Sequence, residues 1–196
     1  MTRSICDKCQ FVACDCICMH LQQIINQTHV VVLQHSSEVN NAKNTVRLAR
    51  LMYRNLTVLI GENSNDFLYL KQLPLATTAL LYPGTDSFLL DGDISDIKLT
   101  HLIVLDGTWK KANKLFFTID ILKQLRQVSF QQLPENRYHL RKANRSDSLS
   151  SLEAIAYALS CTEGLSMAPA YSALDAMMEN QFKYMPAEVR ARYKSE

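Results

Sequence analysis

The sequence predicts an α/β fold, a mostly parallel sheet flanked by helices, with a small cysteine knuckle at the N-terminus. Three observations carry this. Between residues 28 and 165, short apolar runs rich in β-branched residues or leucine recur without polar alternation, the pattern of strands buried on both faces. Stretches of helical character lie between or after them, and strand–helix alternation favours a parallel sheet covered on both sides. Five of the six cysteines fall within residues 1–20, ahead of the core-forming pattern.

The expected strands are Val30-Val31-Val32-Leu33, Leu56-Thr57-Val58-Leu59-Ile60, Thr78-Ala79-Leu80-Leu81-Tyr82 and Leu102-Ile103-Val104-Leu105, with a weaker one at Val128-Ser129-Phe130. Helices are expected over about 42–54, 109–125, 150–161 and 170–183. Residues 61–77 match neither period. The chain divides into a knuckle over 1–20 and a core domain over 28–196, with no internal repeat and no low-complexity tract.

Of the 196 residues, 47 % are hydrophobic, enough for a packed core and against disorder. A formal charge of +2 says little about partners, because a nucleic-acid binder needs only a local basic surface. No apolar run approaches the roughly 18 residues of a membrane-spanning helix. Met1-Thr2-Arg3-Ser4 leads straight into cysteines, without the apolar stretch of a signal peptide. A cytoplasmic protein is therefore expected, whose thiols stay reduced, so that clustered cysteines indicate a metal or catalysis before disulfides.

The spacing Cys6-x2-Cys9 makes a tight turn that aims two sulfurs at one point, and Cys16-x-Cys18 can close a tetrahedron around Zn²⁺. Cys14 is a fifth candidate that can replace Cys16 or Cys18; reduced unligated thiols or a redox relay are the other readings. Cys161 stands alone in an apolar helix and is expected in the core.

The run His101-Leu102-Ile103-Val104-Leu105 leads into Asp106-Gly107-Thr108-Trp109 and then a helix. Ligands of open α/β sheets bind beyond the carboxyl ends of strands. Asp106 there puts a carboxylate beside free backbone N–H groups; its bland alternative, and that of Thr108, is a helix cap. Trp109, the only tryptophan, either packs against its helix or stacks on a base. Lys43, Arg47, Arg50 and Arg54 recur at helical spacing as one basic stripe. Arg137, Arg141, Lys142 and Arg145 make a second cluster, and Lys110, Lys111 and Lys114 a third, a segregation that suits phosphates.

These pieces together resemble the DTW-domain proteins, the family of tRNA-uridine aminocarboxypropyltransferases. The family's C-x2-C-x6-C-x-C pattern falls on Cys6, Cys9, Cys16 and Cys18, leaving Cys14 surplus. Leu33-Gln34-His35-Ser36-Ser37-Glu38 is similar to its H-P-x-E element, with Ser36 for proline, and Asn44-Thr45-x-Arg47-Leu48 to its N-T-x-R-L element. Leu81-Tyr82-Pro83-Gly84 and Asp106-Gly107-Thr108-Trp109 match, the latter being the D-x-T-W signature. Tyr138-His139-Leu140-Arg141 and Leu149-Ser150-Ser151-Leu152-Glu153-Ala154 resemble Y-x-L-R and L-S-T-x-E-A, with Ser151 for threonine.

The resemblance implies a SPOUT-like fold with a C-terminal trefoil knot, S-adenosylmethionine as donor and a tRNA uridine as acceptor. The 3-amino-3-carboxypropyl group moves to uridine N3, giving acp3U, and methylthioadenosine leaves. The variable loop is the expected position. The donor's methyl carbon must be passed over for the amino-acid arm, a choice made by in-line geometry. Asp106 is the implied catalytic residue. A free Asp, with a pKa of about 3.9, is a poor base for N3, so either burial raises it or Asp106 holds the N3–H in place. Leu81, Pro83, Leu105, Gly107, Thr108, Trp109 and Ser151 are expected around the donor; Ser151 can equally be a helix cap. His35 and Glu38 are placed at the rim. Lys43, Arg47, Arg50, Arg54 and Arg141 are expected to face tRNA. Two rival readings are a zinc-stabilised RNA-binding module without catalysis and a SPOUT RNA methyltransferase. The nucleoside released from the donor separates them.

Overall fold

Six strands form one sheet in the order β2-β1-β5-β3-β6-β4, every pairing parallel. The structure is a computed structural model and describes residues 4–93, 98–138 and 149–191. The strands are β1 (His29–His35), β2 (Leu56–Gly61), β3 (Thr78–Leu81), β4 (Phe88–Leu89), β5 (His101–Asp106) and β6 (Arg126–Ser129). Five coincide with the apolar runs. β4 has only two residues and carries no pattern.

Because side chains alternate along a strand, the sheet makes two cores. Val30 and Val32 of β1, Leu102 and Val104 of β5, Ala79 of β3 and Val128 of β6 pack into one. Helices α1 (Val46–Met52), α3 (Ser151–Glu163) and α4 (Ala168–Lys183) cover that face. Val31, Leu33, Leu80 and Ile103 point into the other, against α2 (Trp109–Thr118) and short 3-10 turns. A short α5 (Ala187–Ala191) follows.

Two elements differ from expectation for physical reasons. The helix expected over 109–125 stops at Thr118, where the β-branched Ile119 leaves helical backbone (φ −102°, ψ 94°) and a 3-10 turn runs over Asp120–Gln124. The break buries Ile119 and Leu122 together in the α2-side core. Residues 61–77, unreadable as helix or strand, hold 3-10 segments at Ser64–Gln72 and Leu75–Thr77. Their buried residues Phe67, Leu70 and Leu73 recur every third position, the 3-10 period, which neither a 3.6 nor a 2 template detects.

β6 lies between β3 and β4, although β4 follows β3 directly in the chain. The β3–β4 connection therefore passes around β6. Beyond β4, Asp91 accepts the backbone N–H groups of Gln131 (2.8 Å) and Gln132 (2.7 Å), tying the segment after β4 to the chain leaving β6.

α3 begins with a reciprocal cap. The Ser150 hydroxyl accepts the Glu153 N–H (3.3 Å), and the Glu153 carboxylate accepts the Ser150 N–H (2.8 Å). Glu153 is fully buried and its other oxygen accepts the N–H groups of Arg137 (2.8 Å) and Tyr138 (3.2 Å). The helix ends at Gly164, whose left-handed φ of 69° lets its N–H reach the carbonyls of Leu159 and Ser160. Glu153→Ala strands two N–H donors, those of Ser150 and Arg137, while Tyr138 keeps Asn136 Oδ1 (2.8 Å); each costs about 1–3 kcal/mol where water cannot replace the carboxylate. A fall of the thermal midpoint by roughly 4 °C or more is expected by calorimetry; a change under about 2 °C contradicts the assignment.

Candidate functional site

The carboxyl ends of β1, β5 and β3 lie side by side, with Gln34 opposite Asp106 and Leu81 opposite Val104. Gln34 and Asp106 continue the face that packs on α3. Asp106 is buried, 9 % exposed, and both its oxygens accept hydrogen bonds. Gln34 Nε2 donates to Oδ2 at 2.8 Å, and the Ser151 hydroxyl, from the first turn of α3, donates to Oδ1. Asn44 orients the glutamine: its Oδ1 accepts from Gln34 Nε2 (3.3 Å) and from the Val46 N–H (2.9 Å) at the start of α1. Thr45 Oγ1 accepts the Leu152 N–H (3.4 Å), and the Tyr138 hydroxyl donates to the Lys43 carbonyl (3.0 Å). The elements similar to H-P-x-E, N-T-x-R-L, D-x-T-W and L-S-T-x-E-A, with Tyr138 of the Y-x-L-R element, thus meet at one place. Asp106 is no helix cap; Thr108 is, accepting the Lys111 N–H. Ser150, not Ser151, is the cap of α3, which leaves the Ser151 hydroxyl for Asp106.

The other sheet face carries ion pairs at the same strand ends. His35 is buried between the Ser37 hydroxyl (3.0 Å) and Glu62 (3.3 Å). The Ser36 hydroxyl, Lys114 and His35 hold the Glu62 carboxyl below the ordinary glutamate range. Lys111 pairs with Glu38 at 2.7 Å. Gly107 sits where a Cβ would meet Lys111 Cβ at 3.0 Å, so its lack of a side chain lets β5 turn into α2 beside His35.

Trp109 is half exposed at the start of α2 and stacks on Tyr82 with rings 8° apart; Tyr82 stacks in turn on Phe116, and its hydroxyl donates to Asn113 (2.7 Å). This ladder brings the D-x-T-W signature against the Leu81-Tyr82-Pro83-Gly84 element. Pro83 is exposed, while Leu81 and Leu105 are partly buried at adjacent strand ends.

In the knuckle, the Sγ atoms of Cys6, Cys9, Cys16 and Cys18 lie within 4.8 Å of one another, with Cys6–Cys16, Cys6–Cys18 and Cys9–Cys16 at 3.5–3.7 Å. Four thiolates bonded at about 2.3 Å around a tetrahedral ion stand roughly 3.8 Å apart, so the set fits such an ion. Cys14 is exposed and turned to Asp15 instead. The backbone N–H groups of Cys9 and Lys8 pull the Cys6 thiol down to about 6, whereas burial and the neighbouring sulfurs push Cys18 up to about 12. Four thiolates this close need a cation among them.

The knuckle is bound into the main core: Cys9, Ile17 and Leu21 pack with α1, α3 and α4. Buried Asp15 accepts from Lys183 and Tyr184 at the end of α4, which hold its carboxyl below the usual aspartate range. Arg47 lies with its guanidinium 3.9 Å from the centre of the Phe11 ring, and burial lowers its pKa.

The basic stripe does not form as one helix face. α1 spans only Val46–Met52, since Asn44 caps it at one end and Tyr53 turns extended at the other. Lys43 precedes it, Arg54 follows it, and Arg47 turns inward to the knuckle; Lys43, Arg50 and Arg54 are exposed. Arg141 lies outside the described residues. A cleft of about 550 Å³, lined by His20, Arg137, Ala168, Tyr171, Ser172 and Asp175, shares no residue with the Asp106 cluster.

Gln34, Asn44, Thr45 and Glu153 are site residues beyond those the sequence marks. Their polar type at otherwise apolar or capping positions was the available signal; Gln34 breaks an apolar run, where burial demands a partner. For the knuckle, one bound metal ion per chain is expected by elemental analysis. Cys6→Ser or Cys9→Ser should lose it and Cys14→Ser should retain it; loss with Cys14→Ser would show that the wrong four thiols were chosen.

Comparison with known proteins gives the family. The DTW domain model matches residues 3–189. Curated relatives named tRNA-uridine aminocarboxypropyltransferase 2 match from Mus musculus and Macaca fascicularis, each 30 % identical over 82 % of this chain and 57 % of the relative. The Drosophila melanogaster protein of that name is 27 % identical over 82 % of this chain and 67 % of its own length. The chain thus spans little more than half the length of the two mammalian relatives. No solved structure matches. With the family's motifs converging on one buried carboxylate and the model covering nearly the whole sequence, the chain belongs to the DTW domain family.

Proposed function

We propose that the chain transfers the 3-amino-3-carboxypropyl group of S-adenosylmethionine to N3 of a uridine in tRNA, in the variable loop. The observation that carries this is the Asp106 carboxylate, buried at the carboxyl end of the parallel sheet and held by Gln34 and Ser151. The relatives' printed names supply the reaction class.

The donor is placed against the ends of β3 and β5 and the start of α3, among Leu81, Pro83, Leu105, Gly107, Thr108, Trp109 and Ser151. Transfer breaks the bond between the sulfonium sulfur and the terminal carbon of the amino-acid arm. The electron pair stays on sulfur as neutral methylthioadenosine, and the carbon bonds to N3, whose proton passes to Asp106 or, where Asp106 only holds the N–H, to water. Asp106, with both oxygens already accepting hydrogen bonds, is suited to hold the uracil N3–H in line with that carbon, because the grip limits how the carboxylate can turn.

The fold reading is SPOUT-like with a C-terminal knot. Its support is the passage of the β3–β4 connection around β6 and the tie from Asp91, after β4, to the chain leaving β6. The metal is taken as zinc, from four thiols in tetrahedral spacing. Its part is structural, since the four sulfurs leave no open position. Among the described residues no helix is long and apolar enough to cross a membrane, and a cytoplasmic location accords with reduced thiols. Exposed Lys43, Arg50 and Arg54, with Arg141, are proposed to meet tRNA phosphates; Arg47 contributes through the knuckle.

Methylthioadenosine should be the nucleoside released, identified by mass spectrometry; S-adenosylhomocysteine would favour a methyltransferase, and no donor-derived product a binding module. Asp106→Ala should lower turnover by about 10²–10⁴ with donor affinity and thermal midpoint nearly unchanged. Asp106→Asn tells whether an acceptor suffices or proton uptake is needed. Folded and fully active Asp106 variants would refute the assignment. Reversing charge at Arg50 and Arg54 should reduce the log–log salt slope of tRNA binding by roughly 0.7–0.9 per lost phosphate contact; an unchanged slope means that this face is merely solvated.

A further inference from the structure

We infer that Gln34 is a positioning residue for transfer: its side-chain amide, locked by Asn44, fixes the orientation of the Asp106 carboxylate. This rests on the reading of Asp106 above. Gln34 is 3 % exposed on a strand otherwise lined by Val30, Val31, Val32 and Leu33, all fully buried. A buried primary amide in such a strand is costly unless its polar atoms are used. Here Nε2 reaches Asp106 Oδ2 at 2.8 Å and Asn44 Oδ1 at 3.3 Å, so both donors of one nitrogen are engaged by acceptors. Two acceptors facing the same atom settle which end of the amide points at the carboxylate.

Register makes the contact possible. Parallel pairing sets Gln34 opposite Asp106, on the same sheet face and on neighbouring strands. Ser151 holds the other oxygen from the opposite side, as part of a helix whose first turn is itself anchored. With one donor on each oxygen the carboxylate plane cannot swing freely. A misplacement of about 1 Å in such a group costs on the order of 10²-fold in rate. Gln34 need touch neither donor nor uridine to have this effect.

The test uses the full chain with Gln34→Leu and Gln34→Glu beside Asp106→Asn. Gln34→Leu keeps bulk and removes the donor; a fall in kcat of about 10–100-fold is expected, with S-adenosylmethionine affinity within about twofold of the parent. Gln34→Glu sets a second carboxyl against Asp106. The amide nitrogen it replaces lies 2.8 Å from Asp106 Oδ2 with uncharged Asn44 beside it, so the new carboxyl is coupled directly to Asp106, while His35, Glu38, Glu62, Lys111 and Lys114 pair on the opposite sheet face. Two such carboxyls share a proton and the pair's upper pKa is raised. Below that pKa the shared proton replaces the lost N–H donor; above it the two repel. The kcat of Gln34→Glu should therefore fall as pH rises, over a range where the parent's does not. A folded, fully active Gln34→Leu beside an inactive Asp106→Asn overturns the inference and leaves the role of Asp106 intact. Full activity of both Asp106→Ala and Asp106→Asn overturns the underlying reading. Should Gln34→Leu fail to fold, the pH profile of Gln34→Glu decides, and a profile parallel to the parent's overturns the inference.

Discussion

Much of this molecule depends on the first turn of α3. A helix leaves its first N–H groups without internal partners, and a buried helix start must find acceptors elsewhere. Here the search for acceptors becomes the assembly of the site. The Glu153 N–H goes to Ser150, the Leu152 N–H to Thr45 just before α1, and the Glu153 carboxylate returns to Ser150 and on to Arg137 and Tyr138. The turn thereby fastens α1 and the segment after β6 before Ser151 reaches Asp106 on β5. Loosening this turn would shift each contributor to the site, although no residue of it except Ser151 touches Asp106.

The knuckle extends that fastening outward. Its sulfurs enclose one point, its apolar residues enter the same core as α1, α3 and α4, and Asp15 is held by the end of α4. Arg47 closes the circuit: it leaves α1 one turn from Asn44 and Thr45 and lies against Phe11 of the knuckle. A guanidinium on an aromatic face gains from cation–π attraction while keeping its charge. That placement explains an arginine in the N-T-x-R-L element without any appeal to RNA. It also makes the knuckle a brace for the residues that orient Gln34.

Legibility in the sequence followed the periodicity of each element. β1, β3 and β5 are readable because burial inside the sheet leaves unbroken apolar runs, β2 because its edge position still carries one, and α3 and α4 because their length exceeds the ambiguity of short segments. β4, at two residues, and the 3-10 stretch spaced Phe67, Leu70, Leu73 carry no signal at the usual periods. The four-thiol set agreed with the family's spacing, while local spacing left Cys14 in contention; only geometry turns it outward. The stripe of Lys43, Arg47, Arg50 and Arg54 misled because equal spacing was taken for one helix, whereas α1 contains only the middle two. Gln34 was overlooked because a polar residue at a strand end resembles the start of a loop until the facing strand supplies Asp106.

The sheet's alternation finally separates two kinds of chemistry at its carboxyl edge. On the α3 face, Asp106 accepts from an amide and a hydroxyl, two donors that orient its carboxylate. On the α2 face, one residue further along the strand, His35, Glu62, Lys114, Glu38 and Lys111 pair among themselves. Lys111 and Lys114 are thereby held by Glu38 and Glu62 on the α2 face, away from the contacts that Gln34 and Ser151 make. The period of two in β1 keeps them apart: Gln34 faces α3, and His35 faces α2. A one-residue slip of β1 would exchange the amide for the imidazole, bring the ion-pair lattice to Asp106, and turn Val31 and Leu33 out of the α2-side core. Core packing and site chemistry therefore impose the same register, so this strand can carry a buried polar residue at its end without loss of uniqueness.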